Sequence, residues 1–209
     1  RLQGKDVLDF SEFCQREFGY IPLDFVEESW FLFVNGFDFQ GSRNLGRLKR
    51  IIDIFLALLG LIFMIPVGCT LLLLNPIFNP GSLFYSQMRV GLYGKEFRMY
   101  KFRTMVEQAE KNGQAQWAKQ DDQRTTPLGK LLRKIHLDEL PQILNVFNST
   151  MSIVGPRPER KALILEIEKE LSFYELRHFV KPGLTGWSQI HIHYADSILT
   201  TKWKLQYDL

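Results

Sequence analysis

The sequence predicts an α+β protein, mostly helical, in which a re-entrant (monotopic) membrane helix precedes a small cytoplasmic domain. Three observations predict this architecture. Residues 54–74 form an apolar run without a charged residue, long enough for a membrane segment. Two alternating segments then fit short strands, and the remainder shows amphipathic, interfacial helix patterns. We divide the chain into the tail of an upstream region with a linker (1–45), the re-entrant helix (46–82) and the cytoplasmic domain (83–209).

The apolar run has Pro66 near its centre. At about 1.5 Å per residue the run spans roughly 31 Å, so an ordinary transmembrane helix is one interpretation. Proline removes a backbone donor and predicts a kink or break at Pro66. Basic residues flank the run on both sides, and basic flanks prefer the cytoplasm. We therefore favour a helix-break-helix that enters and leaves on one face, with Asp53 paired to Arg50 or Arg47.

The other elements follow from apolar periodicity and from proline and glycine signals. In chain order they are a helix at 8–18, a strand or interfacial segment at 27–39, strands at 83–90 and 97–105 around a turn at 91–94, and helices at 107–119, from 126 onward, at 138–147 and at 160–171.

Composition argues against several classes of function. The net charge of +3 is too small to indicate a nucleic-acid partner. Two cysteines, Cys14 and Cys69, indicate neither a disulfide nor a metal framework. The four histidines lack further ligands at metal spacing, so structural roles are preferred over zinc. The sequence has no phosphate-binding glycine loop and no Asp-x-Asp triplet, which weighs against a common class of metal-dependent glycosyltransferases.

Asp138 and Glu139 are the first candidates for chemistry. They lie in the segment Leu137-Asp138-Glu139-Leu140-Pro141-Gln142, at a predicted helix N-terminus, where the helix dipole stabilises carboxylates and attracts phosphate. An ionised Asp138 is able to attack phosphorus, and Glu139 is able to hold a Mg²⁺ ion that bridges phosphates. An N-cap aspartate with a first-turn glutamate gives the same pattern without any chemistry.

Further polar residues are candidates for contacts with an anionic substrate. Arg157 stands between two prolines, which pre-position its guanidinium for a bidentate phosphate contact; a rigid loop with an exposed arginine is the alternative. A solvated face, lipid headgroups or a simple turn would equally explain the other basic residues. The candidate substrate-binding residues are Lys101, Arg103, Arg133, Gln142, Arg157 and Lys181.

Together these segments resemble the bacterial sugar transferase family, the polyprenyl-phosphate hexose-1-phosphate transferases or monotopic phosphoglycosyl transferases. The likeness runs from about residue 48 to residue 209 and resembles the catalytic region of a larger, exopolysaccharide-type member. The segments that give it are Lys49-Arg50-Ile51-Ile52-Asp53, Gln87-Met88-Arg89-Val90-Gly91, Lys101-Phe102-Arg103-Thr104-Met105, 137–142, 151–158 and 181–189.

The resemblance implies an enzyme that moves a hexose 1-phosphate from a UDP-sugar to polyprenyl (undecaprenyl) phosphate and releases UMP, initiating exopolysaccharide or glycoconjugate synthesis. It implies Asp138 as the nucleophile that forms an aspartyl phospho-sugar, Glu139 as the Mg²⁺-associated acid, Arg157 as a phosphate-binding residue and Pro66 as the membrane break. It further implies the bacterial inner membrane, with the catalytic domain on the cytoplasmic face. A homodimer is left open.

One segment departs from the family pattern. The run His191-Ile192-His193 stands where many members have Asn-Gly-Arg, which puts donor binding at this edge in question. The family's C-terminal helical region is expected to be missing from the chain. Two other interpretations stay open: a glycosyltransferase that moves only the sugar and releases UDP, and a non-catalytic membrane scaffold or nucleotide sensor.

Overall fold

The computed structural model describes residues 8–27, Trp30, 43–106, 124–192 and 197–209. The helices are α1 (Phe10–Phe18), α2 (Arg43–Phe78), α3 (Pro127–Lys134), α4 (Ile143–Phe147), α5 (Lys161–Glu170), α6 (Trp187–His191) and α7 (Ile198–Asp208). The strands are β1 (Phe84–Val90), β2 (Glu96–Phe102), β3 (Ser152–Val154) and β4 (Gly183–Thr185). Short 3-10 helices occur at Leu23–Phe25, Leu92–Gly94, Leu137–Gln142 and Tyr174–Phe179. This part of the chain is mostly helical with few short strands, which confirms the predicted α+β class.

The longest element, α2, is a single α-helix of 36 residues with Pro66 and Pro76 inside it. The break predicted at Pro66 is absent from this helix. A proline removes one N–H donor but leaves the bonds of the neighbouring turns in place, and the Thr70 hydroxyl donates to the Pro66 carbonyl oxygen at 2.9 Å. By length and composition α2 is able to cross a membrane, and only 11% of its most apolar stretch is buried in the protein. Its re-entrant path stays a prediction.

The predicted hairpin is confirmed. Strands β1 and β2 pair antiparallel, with Phe84 opposite Phe102 and Val90 opposite Glu96. The chain reverses through Gly94, whose φ of +72° lies in the left-handed region that glycine adopts without strain. The second strand ends at Phe102 instead of at the predicted residue 105, so the basic residue that follows it leaves the sheet.

Helix α3 begins where the sequence predicts, because the Thr126 hydroxyl accepts a hydrogen bond from the Gly129 amide (3.0 Å) and Pro127 occupies the first turn. The helix expected at 138–147 is divided into the 3-10 helix Leu137–Gln142 and α4. The residue before this 3-10 helix is His136, whose φ is +57°. Helix α5 matches the prediction for 160–171. The elements predicted at 27–39 and 107–119 fall almost wholly outside the described residues.

Three hydrophobic clusters form the core, and two of them join α2 to the residues that follow it. The first contains Ala57, Phe97, Met99, Ile143, Val146 and Met151. The second contains Leu71, Phe102 and Leu132. The third lies between α5 and α7 and contains Val90, Leu163, Ile164, Ile167, Leu171, Tyr174 and Leu205. Close packing against α2 requires Gly60, since a Cβ atom there would lie 2.7 Å from the Ile143 side chain.

Polar contacts connect the two ends of α2 to the same domain. Near its start, the Arg50 guanidinium donates to two carbonyl oxygens of α4 at 2.7 and 2.8 Å. The Asp53 carboxylate accepts hydrogen bonds from β3 at 2.9 Å; it therefore binds this strand and not Arg50 or Arg47, because it is 5% exposed and faces buried donors. Just after α2 ends, the Asn79 side-chain amide donates to the Arg103 carbonyl oxygen at 2.9 Å.

Several elements had no clear signal in the sequence. Strands β3 and β4 pair in parallel through Ser152 and Gly183, and α6 and α7 follow. The upstream residues 8–27 pack on these two helices: the Trp187 indole N–H donates to the Gly19 carbonyl oxygen at 2.8 Å. The Ile21 amide donates to the backbone of α7 at 2.8 Å. The residues expected to be an upstream tail thus contact the C-terminal helices directly.

Candidate active site

The predicted acidic pair lies on the 3-10 helix Leu137–Gln142, which packs beside β2. Lys101 on β2 and Glu139 form an ion pair, with the Lys101 Nζ 2.8 Å from the Glu139 Oε1. Both side chains are largely buried, at 19% and 15% exposure. The sequence prediction that Lys101 and Glu139 share a site is therefore supported by their contact.

The proline-bracketed loop delivers Arg157 to the same carboxylate. One guanidinium nitrogen lies 2.6 Å from the Glu139 Oε1, and the other donates to the Oε2 at 3.4 Å. The loop starts at Gly155, where a Cβ atom would lie 2.2 Å from the Lys181 carbonyl oxygen, so only glycine permits this approach to β4. Glu139 therefore lies between a lysine and an arginine.

These contacts determine the protonation of Glu139. Burial alone would raise the pKa of its carboxyl, but the charges of Lys101 and Arg157 and their hydrogen bonds lower the pKa well below its usual range. The pKa of Lys101 is lowered, mainly by burial and then by the charge of Arg157. Glu139 is thus an ionised carboxylate across the physiological pH range.

Asp138 has a different environment from its neighbour. It is 8% exposed, and among the described residues it has no ion-pair partner. Burial raises the pKa of its carboxyl, and the charge of Glu139 raises it further, while Lys101, Arg133 and Arg157 act in the opposite direction. Among the described residues, ion pairs therefore engage Glu139 and not Asp138, while the charges of three cations favour the ionised form of Asp138 against its burial.

Arg133 approaches the site from α3. Its Nε donates to the Thr104 hydroxyl at 2.9 Å, and its charge acts to lower the pKa of the Asp138 carboxyl. Gln142, four positions after Asp138 at the end of the same 3-10 helix, is 3% exposed and lies in the interior.

Two predicted substrate-binding residues lie elsewhere. Arg103 is 7% exposed and donates to the carbonyl oxygens of Ser82 (2.6 Å), Pro80 (2.9 Å) and Met105 (3.0 Å), so it fastens the segment after α2. Lys181 donates to the Ser149 hydroxyl at 2.5 Å. The structure does not bring either side chain to the Asp138 and Glu139 pair.

One site residue was missed by sequence reasoning. The Gln189 Oε1 accepts a hydrogen bond at 3.2 Å from the same Arg157 nitrogen that donates to the Glu139 Oε2, so this glutamine helps to orient the guanidinium. The segment 181–189 drew attention through its glycines and Trp187, and the polar residue two positions after Trp187 was the available signal. His193, which stands where many family members have the arginine of Asn-Gly-Arg, lies outside the described residues.

The donor atoms suit a Mg²⁺ ion that is held partly by substrate. Among the described residues no group of three or more His, Cys, Asp or Glu side chains could hold a metal, so a cage made only of protein is not found there. Mg²⁺ typically takes one or two carboxylates and completes its shell with water and substrate phosphates. Asp138 and Glu139 provide adjacent carboxylates of this kind, and the buried cations around them suit phosphate.

A long apolar helix joined to a buried site of paired carboxylates and cations is typical of a membrane-associated protein with a site suited to phosphate groups. Comparison with known families agrees with this class. Residues 45–209 match the bacterial sugar transferase family, and the chain belongs to it. The family assignment made from the sequence motifs is confirmed.

Characterised relatives share the matched region. The chain is 38% identical over 161 residues (77% of this chain, 38% of the relative) to an Aeromonas hydrophila protein named UDP-N-acetylgalactosamine-undecaprenyl-phosphate N-acetylgalactosaminephosphotransferase. It is 44% identical over 144 residues (69% of this chain, 31% of the relative) to UDP-glucose:undecaprenyl-phosphate glucose-1-phosphate transferase of Escherichia coli strain K12. It is also 38% identical to the exopolysaccharide production protein ExoY of Sinorhizobium fredii, with 78% of this chain and 81% of the relative covered.

The chain spans between 31% and 38% of the length of the first three relatives it matches. Each match therefore covers only part of these three relatives.

Proposed function

We propose that this chain transfers a hexose 1-phosphate from a UDP-sugar to undecaprenyl phosphate, with release of UMP, at the cytoplasmic face of the bacterial inner membrane. Membership of the bacterial sugar transferase family supports the reaction class, as do the printed names of relatives that act on UDP-sugars and undecaprenyl phosphate. The observation that carries the proposal is the buried Asp138 carboxylate beside Glu139, which is itself held by Lys101 and Arg157.

In the first step a carboxylate oxygen of Asp138 attacks the β-phosphorus of the donor. The bond between this phosphorus and the bridging oxygen breaks, and UMP leaves with the electron pair. The phospho-sugar is then an acyl phosphate on Asp138. Arg157 and Lys101 offset the charge of the transferred phosphoryl group, a role for which buried cations are suited. Asp138 serves as nucleophile because, in the described part of the chain, ion pairs engage Glu139 and not Asp138.

In the second step a phosphate oxygen of undecaprenyl phosphate attacks the same phosphorus. The Asp138 carboxylate leaves with its electron pair, and undecaprenyl diphosphate sugar is the product. A Mg²⁺ ion held by Glu139 and the donor phosphates would supply additional charge stabilisation. The protein contributes the nucleophile and the fixed cations, and it holds them at the level of the membrane where the phosphate of the lipid acceptor lies.

We further propose that α2 is a re-entrant helix with both ends in the cytoplasm. Arg50 at its start and Asn79 after its end both bind the same domain. A helix that crossed the bilayer would take these residues to opposite faces, and the charged domain that contacts both would lie in hydrocarbon, which is costly. A bend that keeps the helical conformation through Pro66 satisfies both constraints.

The transfer reaction is tested by incubating membrane-reconstituted protein with Mg²⁺, undecaprenyl phosphate and a panel of UDP-sugars. UMP release is expected, and Asp138→Asn should lower it about a thousand-fold or more, as removal of a nucleophile does. Glu166→Gln changes an exposed carboxylate on α5 and is the matched control. Release of UDP would instead identify a sugar-only transferase, and no turnover with any donor would favour a scaffold.

The proposed phospho-sugar on Asp138 is tested in a separate assay. With a donor labelled in the sugar and no lipid acceptor, label should remain on the protein, and adding undecaprenyl phosphate should remove it. The Asp138→Asn protein should hold no label. Equal labelling of the wild type and the Asp138→Asn variant would contradict the assignment of the nucleophile.

The topology is tested by labelling single cysteines at Leu48 and Ser82, on either side of α2. Ser82 is preferred to Gly81, whose φ of +119° would strain any side chain. Because Cys69 is exposed and Cys14 is buried, Cys69 is first replaced by alanine. A membrane-impermeant reagent should label both positions from the cytoplasmic side, and labelling from opposite sides would refute the re-entrant path.

A further inference from the structure

We infer that the buried ion pair between Arg177 and Asp208 positions Arg157 for catalysis, so that the C-terminal helix α7 controls the phosphate site without touching substrate. The inference rests on the proposed function. Arg177 lies on the 3-10 helix Tyr174–Phe179, and Asp208 is the last residue of α7. Neither residue lies within the acidic pair or the proline-bracketed loop.

The pair is buried and closely bonded. The Arg177 guanidinium lies 2.7 Å from the Asp208 Oδ2, and the two side chains are 6% and 3% exposed. Arg177 also donates to the Tyr174 hydroxyl at 2.5 Å. Two charges are removed from water here, which generally contributes little net stability. A role beyond stability is therefore a reasonable expectation for this pair.

Arg177 holds the backbone of the proline-bracketed loop. It donates to the Arg157 carbonyl oxygen at 2.9 Å. The neighbouring carbonyls of the loop are held as well: Gly183 donates to Pro156 (2.9 Å) and Arg89 donates to Pro158 (3.3 Å). Three consecutive carbonyl oxygens thus each have a donor, and the one at Arg157 depends on Arg177.

Asp208 also acts on the Arg157 side chain by a second route. Its Oδ1 accepts a hydrogen bond from the Ser188 hydroxyl at 2.6 Å. Ser188 precedes Gln189 on α6, and Gln189 accepts from the Arg157 guanidinium at 3.2 Å. One carboxylate therefore anchors both the main chain and the side chain of Arg157.

The space around the pair is too small for a substrate. The cavity bordered by Arg157, Arg177, Ser188 and Asp208 has a volume of about 20 Å³, which holds roughly one water molecule. Positioning of Arg157 is the function that the contacts around the pair support. A displacement of about 1 Å in a catalytic group is able to cost on the order of a hundred-fold in rate.

The test removes both charges together, in the double variant Arg177→Met with Asp208→Asn. The methionine fills the arginine stem, and the asparagine keeps an acceptor for Ser188, so no unpaired charge remains buried. We expect the double variant to unfold cooperatively with a melting temperature several degrees below that of the wild type, because the Arg157 carbonyl oxygen and the Tyr174 hydroxyl each lose a hydrogen bond. We expect kcat for UMP release to fall about 10- to 100-fold and KM for the UDP-sugar to change less.

A combination with Arg157→Ala separates positioning from a purely structural role. If Arg177 acts through Arg157, the double variant should lower activity little further in the Arg157→Ala background; a structural defect would lower activity by the same factor in both backgrounds. The control pair is Lys161→Met with Glu96→Gln, which removes an exposed ion pair and should change nothing.

Each outcome is decisive. A folded double variant with wild-type kcat, or with the same fold-loss in both Arg157 backgrounds, would overturn the inference. If the double variant does not fold, Arg177→Lys is assayed in its place, since it keeps a cation beside Asp208 but loses the fork that reaches the Arg157 carbonyl. A wild-type protein without UMP release would refute the proposed function itself, which distinguishes the two failures.

Discussion

Replacing Asp53 should loosen the attachment of α2 to the domain that holds the site. The Asp53 carboxylate accepts from the Ser152 hydroxyl at 2.9 and 3.1 Å and from the Ile153 amide at 2.9 Å. Ser152 is 1% exposed and Ile153 is partly buried, so an alanine at residue 53 would leave both donors without their acceptor, and the Ser152 hydroxyl also without water. Each buried, unsatisfied donor costs about 1–3 kcal/mol.

The two donors together predict a loss of about 3 kcal/mol in the free energy of unfolding for Asp53→Ala. For a chain of this size that loss lowers the melting temperature by roughly 6–12 °C. Asp53→Asn should cost less, about 1 kcal/mol, because its amide oxygen still accepts from Ile153 while the rotatable Ser152 hydroxyl adapts to the amide N–H₂.

Thermal unfolding in one detergent, followed by circular dichroism, measures the series. Ser152→Ala is the informative comparison, since it removes a donor and leaves the carboxylate bound to Ile153; its effect should be smaller than that of Asp53→Ala. If the melting temperature of Asp53→Ala equals that of the wild type, or lies less than a degree below that of Asp53→Asn, these hydrogen bonds do not hold α2 to the domain.

Three further predictions concern packing, pH and the upstream segment. Gly129→Ala should prevent folding or lower the melting temperature severely, because its Cβ would lie 2.0 Å from the Thr104 carbonyl oxygen, whereas Gly46→Ala has nothing within 4 Å and should be neutral in the same thermal assay. His178 has its pKa lowered to about 4, by burial and then by the charge of Arg177. His178 therefore binds a proton more readily in the unfolded chain than in the folded protein. Its contribution to the free energy of unfolding is present above pH 6.5 and is lost as the pH falls toward 4. The wild type should lose about 1–2 kcal/mol more of this free energy between pH 7 and pH 5 than His178→Asn, as measured by denaturant titrations. Trp187→Phe removes the hydrogen bond to the Gly19 carbonyl oxygen and should destabilise the contact by about 1 kcal/mol, read as faster proteolysis between residues 19 and 43; unchanged cleavage would contradict a holding role for Trp187.

Elements with a local chemical signal were predictable from the sequence. Thr126 and Pro127 specify a helix start through a side-chain cap and a fixed φ, and the structure places α3 there. The β1–β2 hairpin was predictable for the same reason, since its turn residues lie next to each other in the chain. Strands β3 and β4 were not, because three residues give no periodic signal and their pairing joins residues 152 and 183.

The candidate site residues show the same contrast between local sequence signals and tertiary contacts. Lys101 and Arg103 look equivalent in the sequence, two positions apart on one predicted strand. The strand ends at Phe102, so Lys101 stays beside Glu139 while Arg103 turns to the carbonyl oxygens after α2. The position of a strand end is set by tertiary contacts, and the roles of Arg177 and Gln189 likewise depend on contacts across 20 and 32 positions.

In the proposed reaction the Asp138 carboxylate must approach an anionic donor, and the charges at the site favour that approach. Two unit charges about 4 Å apart repel by about 4 kcal/mol at an effective dielectric constant near 20. Lys101, Arg133 and Arg157 all act on Asp138, and with Glu139 the five groups sum to one positive charge, three cations less two carboxylates. Glu139 engages two of the cations in ion pairs, which keeps them fixed without neutralising Asp138. Glu139 therefore holds these two cations in place and leaves Asp138, the proposed nucleophile, in their field, so loss of Glu139 should weaken the site even where Asp138 is intact.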